Sequence, residues 1–122
     1  MAKGFDWSED SPTQLKLGDT TTKLGFQLTL DGNNFDLTNV TGITVKVGDS
    51  SHKEVGELAV DLTKIETPEA GQFQLLFTGD VVKKLTTGEY DLEAWIIDAN
   101  GTSIFPSDGF LQLSINPSIG SD

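Results

Sequence analysis

Residues 18–38 read GDTTTKLGFQLTLDGNNFDLT, and this stretch contains the pattern that decides the fold. After a polar entry, apolar residues occupy every second position: Leu24, Phe26, Leu28 and Leu30. Because side chains alternate between the two faces of a β-strand, this spacing predicts a strand with one buried face. Asp31 and Gly32 then supply a tight-turn sequence, and a short second strand follows.

The same alternation recurs along the rest of the chain. Apolar residues two positions apart form runs that begin at Ile43, Leu58, Phe73, Tyr90 and Leu111. Turn sequences rich in Gly, Asp and Asn separate these runs, as is typical of antiparallel strands. Seven to eight short strands at this spacing predict an all-β fold, an antiparallel β-sandwich.

Two local features complete the predicted fold. Asn100-Gly101 is the strongest hairpin sequence, because a type I′ turn needs two residues that tolerate positive φ. Residues 80–85 contain Val81, Val82 and Leu85 on one side of a helix, which predicts one short connecting helix between strands.

The domain organisation follows from where the alternation begins and ends. Residues 14–116 are predicted to form a single β-sandwich domain, in line with a length of 122 residues. Residues 1–13 are expected to form a polar N-terminal arm that carries two aromatic residues. Residues 117–122 read as the start of a linker, so we expect the natural protein to continue beyond Asp122.

Composition excludes several classes of partner. The chain has eight basic residues, all Lys, against nineteen acidic ones, for a net charge of -11. Phosphate binding needs clustered Lys or Arg, so nucleic acid is excluded as a partner and an anionic membrane is disfavoured. No residue after Lys84 is cationic, which predicts an acidic surface suited to a basic or neutral protein.

The cysteine content and the lengths of the apolar stretches indicate in which cellular compartment the chain folds. There is no cysteine, so neither a disulfide framework nor thiolate chemistry is available. The first residues contain no apolar stretch of signal-peptide length, and no stretch is long enough to span a bilayer. We therefore expect the chain to be made and folded in a cytosol.

The sequence offers no catalytic set and no cofactor motif. Glu89, Asp91 and Glu93 share the outward face of one strand, where we expect solvated carboxylates rather than an acid and base pair. His52 is the one histidine, and we expect it to be exposed in a loop. Without a second histidine or a cysteine, zinc is excluded, and no nucleophile motif such as G-x-S-x-G occurs. The chain is therefore predicted not to be an enzyme.

The loop Asp31 to Asp36 has two interpretations. Its sequence DGNNFD provides oxygen ligands of the kind that Ca²⁺ prefers, but not the ligand spacing of an EF-hand loop. Asp, Gly and Asn are also the residues that a tight turn requires. We favour the turn and expect no bound metal.

Apolar residues on outward positions are the candidates for a partner interface. Along residues 89–97 the outward positions change from carboxylates to Trp95 and Ile97, and an outward apolar residue also occurs in two other strands. Large aromatic residues on the arm would be costly to leave exposed. The candidate interface residues are Phe5, Trp7, Leu76, Trp95, Ile97 and Phe110. The alternative is that the arm, a loop or a strand bulge covers these residues within the same domain.

Five segments, taken in order between Leu15 and Ile115, resemble a known family. They are GDTTTKLGFQLT, FDLTNVTGITVKV, GQFQLLF, GEYDLEAWI and FPSDGFLQLSI. Together they are similar to the N-terminal domain of the upper baseplate proteins of tailed phages (siphophages) of Gram-positive bacteria. The resemblance implies an immunoglobulin-like β-sandwich that docks on the distal tail protein of the virion. It also implies a longer chain that forms trimers and carries receptor-binding proteins.

The expected function is therefore structural. The resemblance implies a phage tail baseplate component, located in the virion, that links the distal tail protein to the receptor-binding protein. No heptad pattern follows Ile115, so the fragment alone is expected to be a monomer. The alternative is an extracellular carbohydrate-binding or adhesion module that uses Trp95, Tyr90 or Phe105 as a sugar platform. A glycosidase would need two carboxyls in a concave site, which the sequence gives no reason to expect.

Overall fold

A computed structural model describes residues 2–78 and 83–119. Within these ranges the alternating segments form ten strands, and two short 3-10 turns, Leu62–Lys64 and Pro68–Ala70, lie between the sixth and the seventh. The strands are β1 (Lys3–Trp7), β2 (Gln14–Lys16), β3 (Lys23–Leu30), β4 (Asn33–Asn34), β5 (Gly42–Gly48), β6 (Glu54–Ala59), β7 (Gln72–Leu76), β8 (Gly88–Asp98), β9 (Gly101–Phe105) and β10 (Leu111–Asn116).

The strands form two sheets. Sheet A contains β1, β3, β4 and β7, with β3 paired to all three others. Sheet B has the order β2-β10-β8-β5-β6, and β9 also pairs with β8. Every pair is antiparallel except β2 with β10, which is parallel. The predicted all-β sandwich is confirmed, and the extra strands are mainly the very short β2 and β4.

The core lies between the inner faces of the two sheets, as the alternation predicts. Leu24, Phe26 and Leu28 of β3 have no exposed surface, and they face apolar residues such as Val45 and Leu92 of sheet B. Burying a side chain of this size contributes about 1.5–3 kcal/mol, so strands with one buried face hold the sandwich together.

The prediction of a separate arm over residues 1–13 is wrong for its first half. Residues 3–7 form β1, which pairs with β3 so that Phe5 lies opposite Leu28 and Trp7 opposite Phe26. The Phe5 ring is buried and stacks on Phe26 at 5.2 Å, and the Trp7 ring stacks on Phe26 at 5.1 Å. The physical reason is period-2 spacing: the two aromatics point inward while Asp6 between them is exposed.

The two hairpin turns differ in how they match the expectation. Between β3 and β4, Asp31 and Gly32 both have positive φ, 53° and 85°, as a type I′ turn requires. The hairpin from β8 to β9 is confirmed, but Asp98 pairs with Gly101. Ala99 and Asn100 are therefore its loop residues, and the type I′ prediction for Asn100-Gly101 is wrong because neither of these two has a positive φ.

Other predictions fall partly outside the described residues. The helix expected over residues 80–85 lies mostly in the undescribed segment 79–82, although Lys83 and Lys84 are helical and Leu85 is buried. The proposed linker includes the undescribed residues 120–122. Before them, the Ser118 hydroxyl donates to the Leu17 carbonyl oxygen at 2.7 Å. No helix in the described ranges is long and apolar enough to cross a membrane.

Candidate functional site

The outer face of sheet B carries a small cleft. Its lining residues come from β5 and β8, from the β5–β6 loop, from the first residue of β6 and from the residue before β10, and the cleft measures about 130 Å³. The lining residues are Lys46, Val47, Gly48, His52, Glu54, Asp91, Glu93, Trp95 and Phe110. Aromatic, basic and acidic side chains therefore meet on one face of the sandwich.

The β5–β6 loop places His52 over this face. Asp49 organises the loop: its carboxylate accepts hydrogen bonds from the backbone N–H of Ser51 at 2.8 Å and of Lys53 at 3.1 Å. The His52 N–H donates to the Asp49 carbonyl oxygen at 2.8 Å. His52 has φ 64°, a left-handed conformation that costs a residue with a Cβ about 1–2 kcal/mol. The loop bonds hold the histidine in this conformation.

Asp91 is buried, and the prediction that it is a solvated carboxylate is wrong. Only 7% of Asp91 is exposed. Its Oδ2 lies 2.5 Å from His52 Nδ1, and its Oδ1 accepts a hydrogen bond from the side-chain amide of Gln112. Burial follows from two neighbours: the His52 loop covers Asp91, and Gln112 lies opposite it in the β8–β10 register. Glu89, on the same strand face, is exposed as predicted.

The His52, Asp91 and Gln112 group has the character of a structural hydrogen-bond network. Each carboxylate oxygen of Asp91 already has a partner, and the His52 ring is 60% exposed as a side chain. Within residues 2–78 and 83–119, the His52 ring is hydrogen-bonded to Asp91 and to no hydroxyl group.

The Trp95 ring of the cleft is covered by a neighbouring side chain. Lys46 Nζ lies 3.9 Å above the centre of the Trp95 ring and 3.4 Å from Glu54 Oε1. The Trp95 Nε1–H donates to Glu93 Oε1 at 3.3 Å. This arrangement is a cation–π contact supported by two carboxylates, and it fixes the orientation of Trp95.

The structure brings three of the six interface candidates to one surface. Phe110 is 37% exposed and stacks on the His52 ring at 4.6 Å. Trp95 lines the same cleft, and Ile97, two residues further along the outward face of β8, is 45% exposed. We call Trp95, Ile97 and Phe110 the outer patch. Their role in binding a partner stays a prediction.

The other three candidates lie elsewhere. Phe5 is in the core, where its ring cannot reach a partner while the domain is folded. Trp7 is half-buried on Phe26, so its stacking favours a role in stability over the expected role in partner contact. Leu76 is half-buried at the end of β7 in sheet A, where it pairs with Lys23.

Two residues considered for a sugar platform are also buried. Tyr90 is 7% exposed, and its hydroxyl accepts a hydrogen bond from the Thr86 N–H at 2.9 Å. Phe105 has no exposed surface and packs on Phe35, with ring centres 4.9 Å apart. Of the three residues proposed for that platform, only Trp95 is partly exposed.

The carboxylates of the Asp31 to Asp36 loop stabilise the turns around them. Asp31 Oδ1 accepts from the Ala2 N–H at 2.8 Å. Asp36 Oδ1 accepts from the Thr38 hydroxyl at 2.5 Å and from its N–H at 2.9 Å, and these bonds lower the pKa of Asp36 below 3.8. In the part of the chain that the structure describes, no group of three or more His, Asp or Glu side chains could hold a metal ion.

Sequence reasoning missed the buried network because its members are far apart in the chain. Alternation places Asp91 outward but cannot show that Gln112 lies opposite it, because the register of β8 with β10 is needed. The signal that could have suggested it is the polar loop sequence GDSSH, in which an Asp precedes the one histidine by three residues.

Comparisons with known proteins give a limited result. No protein-family model matches the chain, and no curated protein matches it. Among solved structures, the chain is similar to CopC from Methylosinus trichosporium OB3b, with 14% sequence identity, a TM-score of 0.49 and 94% of each chain covered. A likeness at this level transfers no function.

Proposed function

We propose that the chain is a structural docking domain of a phage tail baseplate. In this proposal it attaches to the distal tail protein and links it to the receptor-binding apparatus, and it carries no enzymatic activity. The resemblance of five ordered segments to upper baseplate proteins suggests the setting. The outer patch carries the proposal, because it offers a surface on which another protein can dock.

The outer patch has the composition of an interface. Two large apolar side chains, Ile97 at 45% and Phe110 at 37% exposure, lie on one face with the half-buried Trp95. Charged residues such as Glu93 and Lys46 lie beside them. Protein interfaces commonly combine an apolar and aromatic centre with a polar rim, and aromatic anchors supply a large share of the binding energy.

Charge indicates the kind of partner. The chain has a net charge of -11, and β8 places Glu89 and Glu93 on the same face as the outer patch. Complementary potentials speed association and suppress wrong partners, so a partner with a neutral or basic docking surface is favoured.

The rival function is an extracellular carbohydrate-binding module. Its support is the half-buried Trp95 beside Glu93, which is the kind of pair that sugar sites use. Against it, Lys46 covers the Trp95 ring, and the cleft of about 130 Å³ is smaller than the roughly 300–1,000 Å³ of typical small-molecule sites. Docking of a protein on the outer patch is the better supported function.

The test is complex formation with the distal tail protein encoded in the same phage genome. Size-exclusion chromatography with light scattering should show a stable complex with the wild-type chain. Ile97→Asp should abolish it, because a buried unpaired carboxylate is costly at an apolar interface. Ile119→Asp is the matched control and should keep the complex. Ile119 is also exposed, but it follows the end of β10 that pairs with the start of β8, whereas Ile97 lies near the end of β8.

The contrary result is equally concrete. If the wild-type chain forms no complex, while purified cell-wall polysaccharide quenches tryptophan fluorescence in a saturable manner, the carbohydrate-binding function replaces the docking function.

A further inference from the structure

The backbone of β3 shows which way its neighbour β7 faces. The backbone N–H and C=O of Gly25 point toward the β1 side of β3. The Gly25 carbonyl accepts a hydrogen bond from the Ser8 N–H at 3.0 Å, and the Gly25 N–H donates to Ser11 Oγ at 2.8 Å. The backbone groups of Leu28 point to the opposite side of β3, toward β7, since the Leu28 N–H donates to the Gly71 carbonyl at 2.8 Å. The even-numbered residues of β3 therefore form their backbone hydrogen bonds on the β7 side, and the odd-numbered residues form theirs on the β1 side.

This alternation leaves one edge of β7 unpaired. Phe73 and Leu75 lie opposite the even-numbered residues of β3 and so direct their backbone groups to it. Gln72, Gln74 and Leu76 direct their N–H and C=O groups away from sheet A. Among the described residues, no backbone hydrogen bond joins this edge to another segment.

The exposed edge of β7 also lacks the usual protection. Natural edge strands commonly carry charges, proline or a bulge that discourages a further strand. The edge strand β1 has Lys3 and Asp6, and the edge strand β6 has Glu54, Glu57 and a register shift in its pairing with β5. The sequence of β7, QFQLL, has no charge and no proline, and the pairing with β3 is regular.

A groove of about 1000 Å³ lies beside this edge. Residues 59–61 and 63–67 line it together with β7, and its larger apolar lining side chains are Val60, Ile65, Phe73, Leu75 and Leu76. The five residues of β7 span about 17 Å at roughly 3.3 Å per residue, which is the length of a short added strand.

We propose that the edge of β7 binds an extended segment of a partner polypeptide as an additional strand of sheet A. Gln72, Gln74 and Leu76 present a row of backbone N–H and C=O groups that point away from β3. An extended polypeptide backbone has N–H and C=O groups at the matching spacing, whereas a sugar or an ion does not. Its alternate apolar side chains would lie over Phe73 and Leu75, and the polar ones between them would face solvent.

The occupant is a foreign segment and not a second copy of the chain. Two copies would each bring a net charge of -11 to the contact, which opposes association. Residues 59–61 and 63–67 share the lining of the groove with β7, so a whole second sheet that approached this edge would meet them, whereas a single strand needs less space. This site belongs to sheet A and is separate from the outer patch on sheet B.

The test uses a defined peptide with alternating side chains, acetyl-KTVTVTVK-amide. Titration into the ¹⁵N-labelled chain should give saturable shift changes in β7 and slow the hydrogen exchange of the Gln72, Gln74 and Leu76 amides. In an antiparallel pair, residues that exchange hydrogen bonds have side chains on the same face. The backbone N–H and C=O groups of the peptide threonines therefore face β7, and the side chains of the peptide valines face the groove.

Methylation of the peptide backbone nitrogens tests which alternate residues of the peptide form hydrogen bonds to β7. Methylation of the threonine nitrogens should weaken binding by about tenfold or more, since it removes hydrogen bonds to β7. Methylation of the valine nitrogens should change it by less than about threefold. Equal effects at both sets of positions, or no binding of the unmethylated peptide, would overturn the proposal.

A variant of the chain gives an independent arm. Gln74→Pro removes an N–H that faces away from β3, so the fold should survive while peptide binding is lost. Phe73→Pro is the contrast, since it removes a bond to β3 and should destabilise the domain. Peptide binding that persists in a folded Gln74→Pro variant, or a concentration-dependent dimer that excludes the peptide, would contradict a foreign strand at this edge.

Discussion

The outer faces of the two sheets are built on the same alternation but carry opposite chemistry. On sheet A, a glutamine pair joins β3 and β7 on the outer face: the Gln72 amide donates to Gln27 Oε1 at 2.8 Å, and the Gln27 amide donates to the Ala70 carbonyl at 2.8 Å. On sheet B, the outward residues include Trp95 and Phe110 beside buried and exposed charges. The outer face of sheet A therefore carries a hydrogen-bonded amide pair, whereas the outer face of sheet B carries exposed large apolar side chains as well as charges.

This difference shows what each part of the pattern encodes. Inward positions on both sheets are apolar because the core requires it, and they report the fold. Outward positions are free of that requirement, so a group of large apolar residues on one outward face, such as the outer patch, is the feature for which we propose a partner.

The largest effect is expected at an inward aromatic residue. Phe5→Ala should reduce the free energy of unfolding by about 3–5 kcal/mol, because it leaves a cavity between Phe26 and Phe73. Phe110→Ala, on the outward face, should cost about 1 kcal/mol or less. Urea denaturation measures both. Equal losses of unfolding free energy in the two variants would contradict the inward position of Phe5 and would favour a peripheral arm.

A smaller effect is expected at the buried carboxylate of the sheet B face. Asp91→Ala leaves His52 Nδ1 and the Gln112 amide without their partner and should cost about 1–3 kcal/mol. Glu89→Ala is the matched control, since this carboxylate bonds to the Ser114 hydroxyl on the same face but is exposed. Its loss should be within about 0.5 kcal/mol. An Asp91 variant as stable as the Glu89 variant would show that the network contributes nothing.

The contact between Lys46 and Trp95 should give a still smaller effect. A double-mutant cycle with Lys46→Met and Trp95→Leu isolates the pair, and a coupling of about 0.5–1 kcal/mol is expected for a cation over an indole ring at a partly exposed site. Coupling near zero would mean that Lys46 does not hold the Trp95 ring, and the argument against a sugar platform would lose its main support.

The smallest effect is expected at acidic pH, from carboxylates that belong to neither outer face. Hydrogen bonds from threonine lower the pKa below 3.8 for Asp19 (from Thr22 and Thr21), Asp36 (from Thr38) and Asp61 (from Thr63). A lowered folded-state pKa stabilises the protein above pH 3.8, and this contribution disappears as the pH falls through the lowered value.

A triple Asn variant tests this pH dependence. Replacing Asp19, Asp36 and Asp61 by Asn should flatten the dependence of unfolding free energy on pH below about 4, because the amides do not titrate. Denaturant midpoints measured across this range provide the slope. A variant whose slope equals that of the wild type would show that these three turns do not couple to pH.

The sequence was sufficient for the sandwich and for the sides of most strands. Period-2 spacing placed Phe26, Leu92 and Leu113 inside and Trp95 and Ile97 outside without any tertiary information. The same rule applied to Phe5 and Trp7 would have found β1, but polar neighbours made that segment resemble an arm. Alternation over only two positions is too short to distinguish a strand from a loop.

Features that depend on register could not be obtained this way. The burial of Asp91 requires Gln112 opposite it and the His52 loop above it, and neither follows from local spacing. The hairpin after β8 has its loop at Ala99 and Asn100 because of the Asp98–Gly101 pairing, one residue before the position that Asn-Gly preference suggests. Cross-strand contacts are set by packing of the whole sandwich.

Hydrogen–deuterium exchange of the chain, free and bound to the distal tail protein, tests the central claim most directly. Binding through the outer patch should slow exchange of the amides around Trp95, Ile97 and Phe110 and leave Gln27 on the outer face of sheet A unchanged. Unchanged exchange at all three outer-patch positions in a complex that does form, with protection on the sheet A face instead, would contradict it.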